Sequence, residues 1–252
     1  MSFDVNDLIA FYATPLGVVV RRALTRRLRA RWGGCAELAV MGLGYGAPFL
    51  ASFCSEAQRT ICLMPARQGV AAWPSAENNA AALVEAEMTP LPDNCIDRAL
   101  VVHGLELSED PALVLEEVWR TLAPSGRAVI IVPSRRGLWA RADGTPFGYG
   151  QPFSRGQLNH LLRGASFTPV FWGEALYAPP INRRFFANTA LAIESIGAAI
   201  GWPFAGVHFV EAMKQVYRPV AVRSATRRRV IAFKPTLAPT ARRAPIGGDS
   251  AG

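Results

Sequence analysis

The feature that most constrains this chain is a strand, helix, strand pattern near its middle. Residues 98–103 (RALVVH) are a continuous apolar run without alternation, the signature of a strand buried on both faces. Leu113, Val114, Val118 and Leu122 then recur at helical spacing, with Asp110 placed to cap the helix N-terminus. Pro124-Ser125-Gly126 makes a turn, and residues 127–132 (RAVIIV) form a second buried strand that ends at Pro133. Two buried strands joined through one helix run parallel, because the crossover returns the chain to the same end of the sheet. The fold class that follows is α/β, an open sheet with crossover helices.

The same alternation extends in both directions. Upstream, an apolar run over 38–41 leads into Gly42-Leu43-Gly44-Tyr45-Gly46; a helix is expected over 47–57 and short strands over 60–64 and 82–85. Downstream, Ser154 caps a helix to about residue 163, a strand follows over 166–172, a helical pattern spans about 183–199, and 207–216 is a last strand. Residues 4–31 are helical in two pieces broken at Thr14-Pro15-Leu16-Gly17. In the second piece Val20, Leu24, Leu28 and Trp32 make one apolar stripe among arginines, and Gly33-Gly34 ends it. The expected organisation is a basic helical segment over 1–34, a domain over 35–233, and a Pro- and Gly-rich tail over 234–252 with the composition of a disordered segment. With 252 residues, half of them hydrophobic, the chain has apolar material for one full core, which excludes disorder throughout.

The net charge of +8 sits at two places. Residues 21–31 carry six arginines and no acid, and residues 218–243 carry seven arginines, Lys234 and no acid; the rest has 13 basic against 19 acidic residues. The ends are either solvated or offered to an anionic membrane, an acidic protein or RNA. Cys35, Cys54, Cys62 and Cys95 form no C-x-x-C pair, so no metal site is expected and a reducing cytoplasm fits them. The start MSFDVNDLIAFY has acids where an export signal needs bases. The uncharged stretch 195–210 is too short, and too broken at Pro203, to cross a bilayer.

The glycine turn carries the first chemical signal. Glycines between a strand and a helix allow positive φ and let a ligand approach the main chain, as nucleotide-like cofactors require; the turn can equally be structural. The spacing is G-x-G-x-G rather than G-x-G-x-x-G and no lysine follows, so neither NAD nor ATP is supported.

Four segments, LAVMGLGYG, VEAEMTPLPDNCIDRALVVHGLE, EDPALVLEEVWRTLAPSGRAVIIVP and PFSRGQLNHLLRGASF, resemble in order and spacing the class I S-adenosylmethionine-dependent methyltransferases. The likeness covers about residues 36–170 and is nearest to the small-molecule branch typified by ubiquinone and menaquinone methyltransferases. It implies a Rossmann-like class I methyltransferase fold, with a seven-stranded, mostly parallel sheet and an antiparallel last strand. The strands at 166–172 and 207–216 would pair as a hairpin with the 183–199 helix inserted between them. The resemblance places S-adenosylmethionine against Gly42, Gly44, Tyr45 and Gly46, with Glu85 and Ala86 at the adenine. Two positions depart from the family: Val40 stands where an acid precedes the turn, and Met64 where an acid holds both ribose hydroxyls. On this reading Gly44→Asp abolishes cofactor binding without unfolding the protein.

His103, at the end of the RALVVH strand, lies where open α/β sheets place ligands and is the candidate catalytic base; the other readings are pocket lining and a structural histidine. Glu106 is a second polar group or a helix-entry residue. The loop after residue 133, with three arginines, Trp139, Phe147 and Tyr149, either meets an anionic or aromatic substrate or packs across the sheet. Tyr12, with Phe11 and the break at 14–17, is either an N-terminal lid or a helix connection. His160 and His208 are read as structural. The [D/N]-P-P-[Y/F] tetrad of methyltransferases acting on nucleic-acid amino groups is absent, VHGLE standing in its place, so bases are not the expected substrate. The functions in view are methyl transfer to a small anionic, aromatic or lipid-like acceptor, an inactive methyltransferase-fold binding partner, and a basic membrane- or RNA-binding module.

Overall fold

The computed structural model describes residues 4–180, 193–194, 196–197 and 204–216. Most of the inserted helical pattern at 183–199, the basic run at 218–243 and the tail at 234–252 lie outside them. Two N-terminal helices, α1 (Val5–Ala13) and α2 (Pro15–Trp32), precede β1 (Ala39–Gly44), the short helix α3 (Ala47–Leu50), β2 (Arg59–Pro65), β3 (Ala81–Val84) and β4 (Ile96–Val102). Then come α4 (Pro111–Thr121), β5 (Leu122–Pro133), α5 (Arg155–Gly164), β6 (Phe167–Ala175) and β7 (Val207–Lys214). One seven-stranded sheet has the order β3-β2-β1-β4-β5-β7-β6. Strands β1 to β5 pair in parallel, and β7 pairs antiparallel with β5 and β6. The hairpin read from 166–172 and 207–216 is therefore formed.

Strand side chains alternate between two cores, as a sheet covered on both faces requires. Val40, Leu100, Val102, Val129 and Ile131 face the helices α1 and α2. Ala39, Met41, Ala99, Val101, Ile130 and Val132 face α4 and α5. The break between the N-terminal helices is a cap: the Thr14 side chain accepts from Gly17 N at 3.0 Å. The apolar stripe of α2 is spent on the first core, where Val20, Leu24, Leu28 and Trp32 are buried, so α1 and α2 form a layer of the fold. Among the described residues no single helix is long and apolar enough to cross a membrane.

Three of the six arginines on α2 are committed to carboxylates: Arg27 to Glu194, Arg29 to Glu56 and Arg31 to Glu211. Glu211 is fully buried and is also met by Arg127 at 3.3 Å, so this side of α2 is bolted to the sheet rather than solvated. Arg21, Arg22 and Arg26 remain exposed.

The helix expected over 47–57 is cut to Ala47–Leu50, with turns over 51–56. Arg29 holds these turns, its guanidinium taking the Ser52 carbonyl and pairing with Glu56 at 2.5 Å. The acid-containing segment at 85–98 is held in the same way. Burial works to raise the Glu117 carboxyl, but hydrogen bonds from Arg120 and Thr89 outweigh it and hold it below the usual carboxylate range. Lys214 Nζ donates to Asn94 Oδ1 at 2.7 Å and to Leu122 O at 2.6 Å, and burial lowers its pKa.

Candidate functional site

The sheet order reverses between β1 and β4, and a parallel sheet opens its ligand crevice beyond the C-terminal strand ends at such a point. A cavity of about 470 Å³ lies there. Pro65 and Gln68 come from the end of β2, Glu85 and Ala86 from the end of β3, Gly104 from the end of β4, and Tyr149 from the loop after β5. The wall is acidic, with Glu85, Glu87, Glu109 and Asp110 against Arg67, which Glu109 engages at 2.6 Å.

Next to this cavity, the other half of the crevice is packed solid. Gly42, Gly44, Tyr45 and Gly46 are all buried, and none of them lines the cavity. The Tyr12 ring stacks on Tyr45 at 5.8 Å and meets Phe49 edge-on at 5.5 Å. The glycine requirement is internal to the protein. Gly44 has φ +89°, and a Cβ there would lie 2.1 Å from Val102 O and 2.9 Å from Gly104 N. Gly42 and Gly46 face each other, a Cβ on Gly46 falling 3.1 Å from the Gly42 Cα. Gly44→Asp therefore breaks the strand junction itself, which corrects the expectation that the protein would stay folded.

Behind this packed half runs a buried polar chain. His103 ends β4 in the left-handed region, φ +53°, with its side chain 1% exposed. Its Nε2 lies 2.7 Å from the Tyr12 hydroxyl and its Nδ1 3.3 Å from Glu106 Oε1. Both Glu106 carboxylate oxygens are buried without a hydrogen-bond partner among the described residues. Burial, then the charges of Glu106 and Tyr45, raise the Tyr12 pKa well above its ordinary value, so the phenol stays a neutral donor. The Tyr12 O–H donates to Nε2, which puts the Nδ1–H on the side of Glu106, close to it but without a formed hydrogen bond.

The structure thus brings Glu85 and Ala86 into one cavity and sets His103 with Tyr12 and Glu106 beside it. Met64 falls outside both groups: it is fully buried in the core, its Sδ accepting from Ala71 N at 3.5 Å. In the loop after β5, Trp139 and Phe147 are core residues, Trp139 Nε1 donating to Ala178 O at 2.8 Å and Phe147 packing 4.6 Å from His103. His160 is exposed and belongs to neither group, whereas His208 is buried near Glu174, its pKa lowered by burial. Gln68, Gly104 and Ser108 escaped the reading of the sequence. Their positions just past the ends of β2 and β4 were the available signal.

Residues 39–130, from the start of β1 into β5, match the family described as Methyltransferase domain. Over that stretch, less than half of the chain, the sequence is similar to methyltransferase domains. Domains of this class take S-adenosylmethionine as methyl donor, and the same fold recurs in solved methyltransferases at low identity. An S-adenosylmethionine-dependent methyltransferase from Thermotoga maritima is similar at 17% identity and TM-score 0.57, over 84% of this chain and 96% of that one. One from Mesorhizobium loti is similar at 15% identity and TM-score 0.53, over 75% and 96%. Geranyl diphosphate C-methyltransferase from Streptomyces coelicolor, solved with Mg²⁺, geranyl-S-thiolodiphosphate and S-adenosyl-L-homocysteine, is similar at 12% identity and TM-score 0.54, over 76% and 75%. No curated protein matches the sequence.

The methyltransferase domain fits the nucleoside end of the donor. Its cavity is large enough, is lined by Gln68, whose buried Oε1 has no partner among the described residues, and has an acidic wall suited to a sulfonium. At the amino-acid end, Tyr12 and Tyr45 cover the glycine turn, and their rings have to shift for a ligand to reach it.

Proposed function

We propose that this protein transfers a methyl group from S-adenosylmethionine to a small-molecule acceptor that is anionic, aromatic or lipid-like. The observation that carries the reading is the cavity at the ends of β2, β3 and β4, with His103 and its partners directly beside it. S-adenosylmethionine supplies an electrophilic methyl on a sulfonium. The chain's own residues do the rest: Glu85 and Ala86 hold the base, Gly104 and Tyr149 close the cavity, and His103 receives the acceptor's proton at Nε2. Glu106 beside Nδ1 fixes the tautomer that leaves Nε2 as the acceptor and stabilises the imidazolium once it forms. Tyr12 occupies Nε2 at 2.7 Å, so its hydroxyl must yield that position before His103 can act. Exposed Arg135, Arg136 and Arg141 on the loop after β5 favour an anionic acceptor.

A second reading, a methyltransferase fold retained as a binding partner, is favoured by one observation: the glycine turn is packed under Tyr12 and Tyr45. Calorimetric titration with S-adenosylmethionine and S-adenosylhomocysteine separates the two. Micromolar affinity, about −8 kcal/mol, supports the enzyme; absence of binding to either ligand leaves the second reading.

A further inference from the structure

Strand β2 ends without the carboxylate that would grip a ribose. Met64 is turned into the core, and Pro65 is the only other residue at the strand end. Four residues past Met64, however, Gln68 lines the same cavity and is 2% exposed. Two contacts fix it. Its backbone carbonyl accepts from Val5 N at 2.7 Å, and its Nε2 donates to His103 O at 2.9 Å. The second contact settles the amide orientation, because only the NH₂ end can bond a carbonyl oxygen. The Oε1 is therefore an acceptor, and it is buried with no partner among the described residues. Folding leaves such an atom unsatisfied at a cost unless a ligand brings the missing donor. The acidic residues around the cavity, Glu85, Glu87, Glu109 and Asp110, disfavour an anionic ligand, so the matching donor is a neutral or cationic O–H or N–H group, and the hydroxyls of a ribose are of that kind.

We propose that the Gln68 Oε1 accepts a ribose hydroxyl of the adenosyl ligand, serving this chain in place of the absent acid at position 64. The inference rests on the proposed function and adds to it the residue that recognises the sugar. A neutral amide oxygen gives one ordinary hydrogen bond where a carboxylate gives two charge-assisted ones, so binding through it is weaker. Since Nε2 of the same amide holds the His103 carbonyl, sugar recognition is tied to the end of β4.

The test is a calorimetric cycle on the full chain, using S-adenosylhomocysteine and its 2′,3′-dideoxy analogue against wild type, Gln68→Met and Gln68→Asn. Thermal melting checks that each variant is folded. For wild type the dideoxy analogue binds at least fivefold more weakly than S-adenosylhomocysteine. For Gln68→Met, S-adenosylhomocysteine weakens by a similar factor and the two ligands become equal. Gln68→Asn, which withdraws the oxygen by one methylene, gives the same equality should Gln68→Met fail to fold. Wild-type binding of S-adenosylhomocysteine with a sugar preference that both variants keep overturns the assignment and leaves the methyltransferase reading standing. Failure of wild type to bind S-adenosylhomocysteine at all overturns both.

Discussion

The two halves of the strand-end crevice differ in what their glycines and polar groups are for. Beyond β2 and β3 the chain leaves a cavity of about 470 Å³ with an exposed carboxylate, Glu85, on its wall and, at Gln68, a buried acceptor without a partner among the described residues. Beyond β1 the space is filled: Tyr12 and Tyr45 stack over the turn, and each glycine touches backbone where a ligand was expected. A glycine-rich turn after a strand thus reports close approach of something to the main chain, and here that something is the protein's own β4 and its own turn. The binding half is marked instead by unsatisfied polar atoms, which no spacing rule records.

The contrast can be broken most sharply at Gly44. Gly44→Ala forces a Cβ to within 2.1 Å of Val102 O at a positive φ, and should cost about 3–5 kcal/mol in urea denaturation. A loss under about 1 kcal/mol would mean that the turn has slack and that the packed half is not structural. Tyr12→Phe is the next largest change. It leaves His103 Nε2 buried without its donor, at about 1–3 kcal/mol. The same residue gives a pH test. Because the folded Tyr12 pKa is raised, its contribution is full below about pH 10, where unfolded tyrosine ionises, and is lost as pH rises toward the folded value. Stability of wild type should fall along this alkaline limb, and Tyr12→Phe should flatten it; an unchanged slope would place the phenol in contact with water. On the open side the effect on stability is smallest. Glu85→Gln should move stability by less than about 0.5 kcal/mol while weakening S-adenosylhomocysteine severalfold, and equal affinity of the two proteins would remove Glu85 from the site.

Much of the fold was legible because buried parallel strands and their crossovers write long, redundant patterns. The runs at 98–103 and 127–132 and the cap at Asp110 appear where periodicity places them, and the closing hairpin appears as the family resemblance implies. The helix after the turn was misjudged over 51–57, since its apolar residues Phe49, Leu50 and Phe53 keep helical spacing. The turns that replace it are held by Arg29, whose contact with the Ser52 carbonyl spans 23 residues of sequence. Of the site, His103 follows from its place at a strand end, whereas Glu85 and Ala86 come from the family resemblance, and the structure sets those two on the cavity wall. The roles of Tyr12, Glu106 and Gln68 come from hydrogen bonds that are made or missing across 91, 3 and 35 residues, a matter of tertiary packing.

The measurement that tests the two-halves account most directly is hydrogen exchange of the full chain with and without saturating S-adenosylhomocysteine. The account predicts that amides at 42–46 are already strongly protected in the free protein, and that the ligand adds protection at 66–69, 85–88 and 104–109. Fast exchange at 42–46 in the free protein, or ligand protection that leaves those three cavity segments unchanged, would contradict it.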